Sequence, residues 1–152
     1  MIRISFRFSF QIIKGFLNDN NVYNLYVTDY TVNPKITPVQ GSWCPPELSD
    51  RILKVEMWDS ASQLGQTMEQ GEYWFLRNTR MKISHSGYIE GTMQLAEKVQ
   101  KLDENDSAGN PHLQALLEFV TFRIMAIVVI LTSLNQAQTR VGAERLFFGW
   151  SL

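Results

Sequence analysis

The chain has 152 residues and a mass of 17.5 kDa, enough for one domain with a hydrophobic core. Hydrophobic residues make up 45%, aromatics 12% and charged residues 19%, a composition that folds and excludes a disordered chain. With 14 Lys and Arg against 15 Asp and Glu, the net charge of −1 excludes a global basic field for gripping duplex nucleic acid. A surface that reads single strands by stacking is still allowed, because stacking needs aromatic faces more than charge.

In chain order, Ile2, Ile4, Phe6, Phe8 and Phe10 alternate with Arg3, Ser5, Arg7 and Ser9, a period of two that predicts a strand. The competing reading is an Arg- and Ser-rich transit peptide; a secretory signal is excluded by Arg3 and Arg7 inside the apolar run. The alternation breaks at Ile12-Ile13, which predicts a bulge or bend before Phe16 and Leu17. Asn18 to Asn21 reads as a hairpin loop, since Asn and Asp tolerate left-handed backbone. Val22 to Tyr30 is the second strand, with Leu25 and Val27 on one face and Asn24, Tyr26, Thr28 and Tyr30 on the other.

Thr31 to Asp50 has no period and contains Pro34, Pro38, Pro45 and Pro46. So long a loop is functional or disordered, and its Trp43 is expected to cover or contact something. Arg51 to Trp58 is the third strand: Leu53, Val55 and Met57 face one way, Lys54, Glu56 and Trp58 the other. Ser60 to Gln70 carries Leu64 and Met68 four residues apart, a short helix weakened by Gly65 that plugs one apolar hole.

Tyr73 to Ile83 is the strongest strand, yet Trp74 and Leu76 share parity with Arg80 and Lys82, so a bulge in its middle is expected. His85-Ser86-Gly87 is a tight turn, and Tyr88 to Leu95 the fifth strand. Lys98 to Gly109 reads as a solvated stretch, and Asn110-Pro111 as an N-cap followed by Pro at the first helical position. Leu113, Leu116, Leu117, Val120 and Ile124 continue that helix at a period of 3.6. The run from Phe119 to Leu134, interrupted by Arg123, falls short of the ~20 residues a membrane span needs; a buried helix is favoured over a span. Gly142 to Leu152 reads as an untidy tail.

Five strands with a short helix between the third and fourth are the element order of the OB-fold. The expected fold class is therefore all-β with minor helix, a five-stranded Greek-key barrel with a C-terminal helix outside it. No enzyme is expected. Ser84-His85-Ser86 lies in a turn, Glu56 and Asp59 do not pair, and there is no Gly-rich phosphate loop. No cofactor is expected, and the single Cys44 with two histidines, His85 and His112, excludes a disulfide and a Cys/His zinc site. Tyr26 and Trp58, beside Thr28 and Lys54, are candidates for a stacking surface, balanced evenly against burial. Arg77, Arg80, Lys82 and His85 lie between Tyr73 and Tyr88 with no acidic residue among them, a local basic patch.

Four fragments, in this order and spacing, resemble the second OB domain of the fungal protection-of-telomeres family. They are Leu25-Tyr26-Val27-Thr28-Asp29-Tyr30-Thr31, Trp58-Asp59, Gly71-Glu72-Tyr73 with Leu76 to Ile83, and His85-Ser86-Gly87-Tyr88-Ile89-Glu90. The resemblance covers about Gln11 to Leu117. It implies binding of the single-stranded, G-rich telomeric overhang, nuclear location at chromosome ends, and other chromosome-end subunits as possible partners, with no membrane role. Residue by residue, it implies contacts from Tyr26, Thr28, Tyr30, Lys54, Trp58, Arg77, Arg80, Lys82, His85 and Tyr88. Trp43 joins this set on its place in the loop alone. The family's first OB domain and its partner-binding region have no counterpart here, and nothing matches from Phe119 onward. The expected organisation is a single-strand-binding domain over 1–117 and an apolar helical or irregular tail, native or read-through, over 118–152. A protein-contact module without DNA binding is the alternative from another class, and a truncated or membrane-attached product the third.

Overall fold

The computed structural model describes residues 5–105, 110, 111, 113–118, 121 and 125. Internal contacts divide the chain into Met1–Leu116 and Leu117–Leu152, and the barrel belongs to the first unit. The run 119–134 and the tail 142–152 lie outside the described residues, save Thr121 and Met125, as do residues 1–4 and His112. Among the described residues, no helix is long and apolar enough to cross a membrane, and no group of three metal-ligating side chains comes together.

Strand β1 runs over Ser5–Leu17 and is long enough to serve two partners. Its first half pairs with β4 (Tyr73–Ile83), its second with β2 (Tyr23–Thr28), both antiparallel. The register shifts between Ile12 and Lys14, where the break in alternation predicts a bulge. The reason lies in burial on both faces: Ile12 packs into the barrel core, whereas Ile13 packs into a second cluster outside it. The Asn18–Asn21 turn forms as expected, with Asn18 Oδ1 accepting from the amides of Asn20 and Val22 at 3.0 Å. Asn21 there takes a φ of 58°, a region Asn tolerates.

β2 pairs antiparallel with β3 (Leu53–Met57), β3 pairs parallel with β5 (Ile89–Met93), and β5 pairs antiparallel with β4, which closes the barrel on β1. This is a closed five-stranded OB barrel. The expected bulge in β4 also forms: Asn78 has φ 59°, and the register with β1 shifts between Phe6 and Phe8. Buried positions accordingly switch phase, from Trp74 and Leu76 to Thr79, which turns Arg80 and Lys82 outward.

Three readings need correction. The fifth strand ends at Met93, and the stretch read as solvated contains a further strand, β6 (Val99–Leu102), on β4 from Tyr73 to Leu76. Val99 and Leu102 are buried with two exposed residues between them, a spacing of three that the strand period of two does not announce. The second strand stops at Thr28, because Tyr30 takes a φ of 65° and turns the chain away.

The helix α1 (Asp59–Gly65) follows β3 and closes the barrel end where β2 begins. Gly65 weakens it in sequence terms and is required in space: a Cβ there would lie 2.6 Å from the Tyr23 ring and 3.1 Å from Met57 Sδ. The core of Phe10, Ile12, Leu25, Val55, Met57 and Leu76 is completed by Met68 and partly by Leu64. The expected N-cap is present as well, with Asn110 Oδ1 accepting from the Leu113 amide at 3.2 Å and Leu113 fully buried.

Thr79 carries a polar irregularity in the core. It is fully buried, and its hydroxyl has no protein partner among the described residues. A buried, unsatisfied hydroxyl costs about 1–3 kcal/mol. Thr79→Val, which keeps the shape, is therefore expected to raise the unfolding free energy by about 1 kcal/mol in denaturant titration.

Candidate nucleic-acid interface

The registers bring outward side chains into two rows across the sheet. Lys14 stands opposite Tyr26 and Tyr26 opposite Lys54; the parallel step to β5 brings Glu90 beside Lys54, and Glu90 stands opposite Lys82. The second row is Phe16, Asn24, Glu56, Thr92 and Arg80. Strands lie about 4.8 Å apart, so each row crosses about 19 Å of surface.

The long loop folds back over one end of these rows. Beneath it Ile13, Cys44, Leu48 and Ile52 form a small core of their own, with Tyr26, Tyr30, Val39 and Trp43 packed on it. Burial, and then the nearby Glu47, push the Cys44 thiol up, as befits a packing residue. Trp43 reaches Tyr26 with ring centroids 4.9 Å apart and Phe16 at 5.6 Å, while Phe16 meets Tyr26 edge-on at 5.9 Å. These distances are those of favourable aromatic pairs. Gly41 lets the indole settle, since a Cβ there would lie 2.8 Å from Trp43 Nε1. Lys14 Nζ stands 5.7 Å from the centre of the Phe16 ring.

Two clefts flank this arrangement. The smaller, about 310 Å³, is lined by Phe16, Tyr26, Trp43, Lys54, Glu90 and the loop from Ile36 to Gln40. The larger, about 860 Å³, opens at the barrel end opposite α1, between Phe6, Phe8, Leu53, Met81, Ile83 and Ile89, with Arg51, Arg80 and Lys82 at its edge. Ile36 and Ile89 line both clefts, and the Ile89 amide donates to the Lys35 carbonyl at 2.7 Å, so a strap of the loop divides them.

The sequence-predicted residues divide accordingly. Tyr26, Trp43, Lys54 and Lys82 come together on or beside the first row, and Arg80 ends the second. Thr28 does not join them: it is 1% exposed, and its hydroxyl donates to the Arg51 carbonyl and accepts from the Tyr30 amide. At Val27 and Thr28 the end of the strand is buried on both faces, which overrides the expected polar face. Tyr30 is half-buried and donates its hydroxyl to Gln11 Oε1, a packing position. Trp58 is 40% exposed but sits at the N-cap of α1, four residues along β3 from Lys54, about 13 Å away at the closed end. Arg77 Nη2 donates to the Glu97 carbonyl at 3.0 Å, away from both rows. His85 and Tyr88 belong to the β4–β5 turn, two residues or more beyond the Lys82–Glu90 pair. Sequence reasoning missed Phe16, Lys14 and Glu90; the bulge at Ile13 was the signal that re-aims the first two.

Charge on this face is largely compensated. Glu56 accepts from Lys82 at 2.6 Å and from Lys54 at 3.1 Å, while Glu90 lies 3.5 and 3.6 Å from the same two ammonium groups. Burial alone would raise the Glu56 pKa, but the hydrogen bonds from Lys82 and Lys54 outweigh it and hold the carboxyl below its ordinary value. A depressed carboxyl contributes stability that is present above its unfolded pKa and lost as pH falls through the folded one. Acidification below about pH 4.3 is thus expected to destabilise the barrel, and Glu56→Gln to reduce that slope in thermal melts across pH.

The closed barrel is an OB-fold, and its outer face sets the rings of Phe16, Tyr26 and Trp43 beside a row of alternating charge. Among known proteins, the chain resembles the protection-of-telomeres proteins. Fission yeast (Schizosaccharomyces pombe) protection of telomeres protein 1 is 33% identical over 86 residues, 53% of this chain, and the chain spans 15% of that protein's length. The solved structure of fission yeast Pot1pC bound to the single strand CGGTTACGGT superposes with a TM-score of 0.64 at 25% identity, covering 78% of this chain and 89% of that one. A second fission yeast Pot1 structure with single-stranded DNA gives the same TM-score and identity over 41% of its length. No protein-family profile matches the chain.

Proposed function

We propose that this barrel is a non-enzymatic binder of single-stranded, G-rich telomeric DNA, acting at chromosome ends in the nucleus. The observation that carries the reading is the contact of Trp43 with Tyr26 and Phe16 on the outer face, directly beside the Lys14–Tyr26–Lys54–Glu90–Lys82 row. Its likeness to fission yeast Pot1, solved with single-stranded DNA bound, supports the choice of ligand. In this reading bases stack on the aromatic trio, and Lys54, Lys82 and Arg80 meet phosphates. The hairpin tip with His85 and Tyr88 extends the same path. Residues 1–117 carry the activity and 118–152 stand outside it.

The test is fluorescence-anisotropy titration with CGGTTACGGT against its duplex and a poly-pyrimidine strand. Tight binding of the first alone is expected; equal binding of all three refutes the reading. The salt dependence is a second expectation. Lys14, Lys54, Lys82 and Arg80 are offset by Glu56 and Glu90, so two net positive charges remain on the face. At about 0.7 per phosphate, the slope of log affinity against log salt should be near −1.4, shallower than the roughly −2.8 of four independent contacts.

One observation favours a second reading, a protein-contact module. The larger cleft is mostly apolar, with Phe6 44% and Ile83 75% exposed at its rim. Under the DNA reading, Ile83→Ser leaves anisotropy titrations unchanged.

A further inference from the structure

The smaller cleft contains an acceptor that the ion-pair network holds only at long range. Glu56 receives hydrogen bonds from both lysines, whereas Glu90 stands 3.5 and 3.6 Å from them, within ion-pair range but beyond a good charge-assisted bond. Lys54 faces Glu90 Oε1 and Lys82 faces Oε2, which offsets the charge and leaves a second lone-pair position on each oxygen. No hydrogen bond to its side chain is found among the described residues. A carboxylate only accepts, and offers about four lone-pair positions. Around it, the same cleft presents the rings of Tyr26, Trp43 and Phe16. At about 310 Å³ it lies at the small end of ligand pockets, which suits one nucleotide.

A planar ring stacked there is selected by the edge it turns to Glu90. Guanine alone among the DNA bases has two adjacent donors, N1–H and the N2 amino group, on its Watson–Crick edge. Adenine and cytosine set a ring-nitrogen lone pair beside their amino group, and thymine sets carbonyls on either side of N3–H. Each of these brings lone pairs against the carboxylate, and guanine does not. We propose that Glu90 is a specificity-determining residue that reads the N1–H and N2–H edge of one guanine held against Trp43 and Tyr26. The inference rests on the single-strand reading and adds to it the residue and the base.

The test uses the full chain and the strand CGGTTACGGT, whose four guanines are replaced one at a time by inosine, which lacks the 2-amino group. At one position inosine should weaken binding to the parent protein about tenfold. Glu90→Gln, checked by circular dichroism for an unchanged fold, should bring that penalty below about twofold there and nowhere else. The readout is a ratio between two strands, so the overall gain in affinity from removing a negative charge cancels. If Glu90→Gln keeps the parent's inosine penalty at every position, the Glu90 assignment is wrong and single-strand binding stands. If the parent protein binds no single strand, the functional reading fails and this inference with it.

Discussion

Trp43→Ala is expected to weaken binding of the G-rich strand by about 1–3 kcal/mol, the value of one base stacked on an aromatic ring. The slope against salt should stay as it was, because no phosphate contact is removed. The far-ultraviolet spectrum should also persist, since Trp43 belongs to the small outer cluster and not to the barrel core. Trp58→Ala supplies the contrast. Trp58 caps α1 through its backbone carbonyl, at the closed end of the barrel, and lines neither cleft, so loss of its ring should leave affinity unchanged. Anisotropy titration of both variants decides between them: a Trp58 variant that loses binding while Trp43→Ala keeps it would move the interface to the other end of the sheet.

That contrast also marks how far the sequence could be read. Strand order, the short helix, both bulges and the Asn110 cap were legible because each leaves a local trace: a broken alternation, a run of Asn, a cap beside a proline. What stayed hidden depends on contacts between segments far apart. Parity along the third strand puts Lys54 and Trp58 on one face, but β3 ends at Met57 and Trp58 falls at the start of α1; parity does not show where a strand stops. Thr28 reads as a polar-face residue, but its hydroxyl is taken up by the Arg51 carbonyl and the Tyr30 amide where β2 ends. Glu90 is an ordinary charge in a hairpin, and it gains meaning only when the parallel β3–β5 pairing sets it beside Lys54. Parallel pairing joins segments with no turn between them, so no short-range pattern announces it.

The loop's internal core leads to the prediction with the largest expected effect on stability. Ile52 is 1% exposed and packs with Ile13, Cys44 and Leu48, outside the cluster that fills the barrel. Ile52→Ala removes three carbons from a close-packed site, a change that costs about 2–5 kcal/mol. That cost should fall on the loop first. Among the described residues its backbone ties to the rest are few: Ile89 donates to the Lys35 carbonyl and Arg51 to the Leu48 carbonyl, whereas the bonds from Val39 to Ser49 and from Asn33 to Asp50 lie within the loop. Local opening of such a unit is a sub-global event, so amides within 31–50 should lose hydrogen-exchange protection while those of β2 and β4 keep theirs. Binding should weaken in step, because only the fraction of molecules with Trp43 seated on Tyr26 is competent to stack a base. Equal loss of protection in loop and barrel would mean that the two clusters unfold as one, and that the loop has no stability of its own to lose.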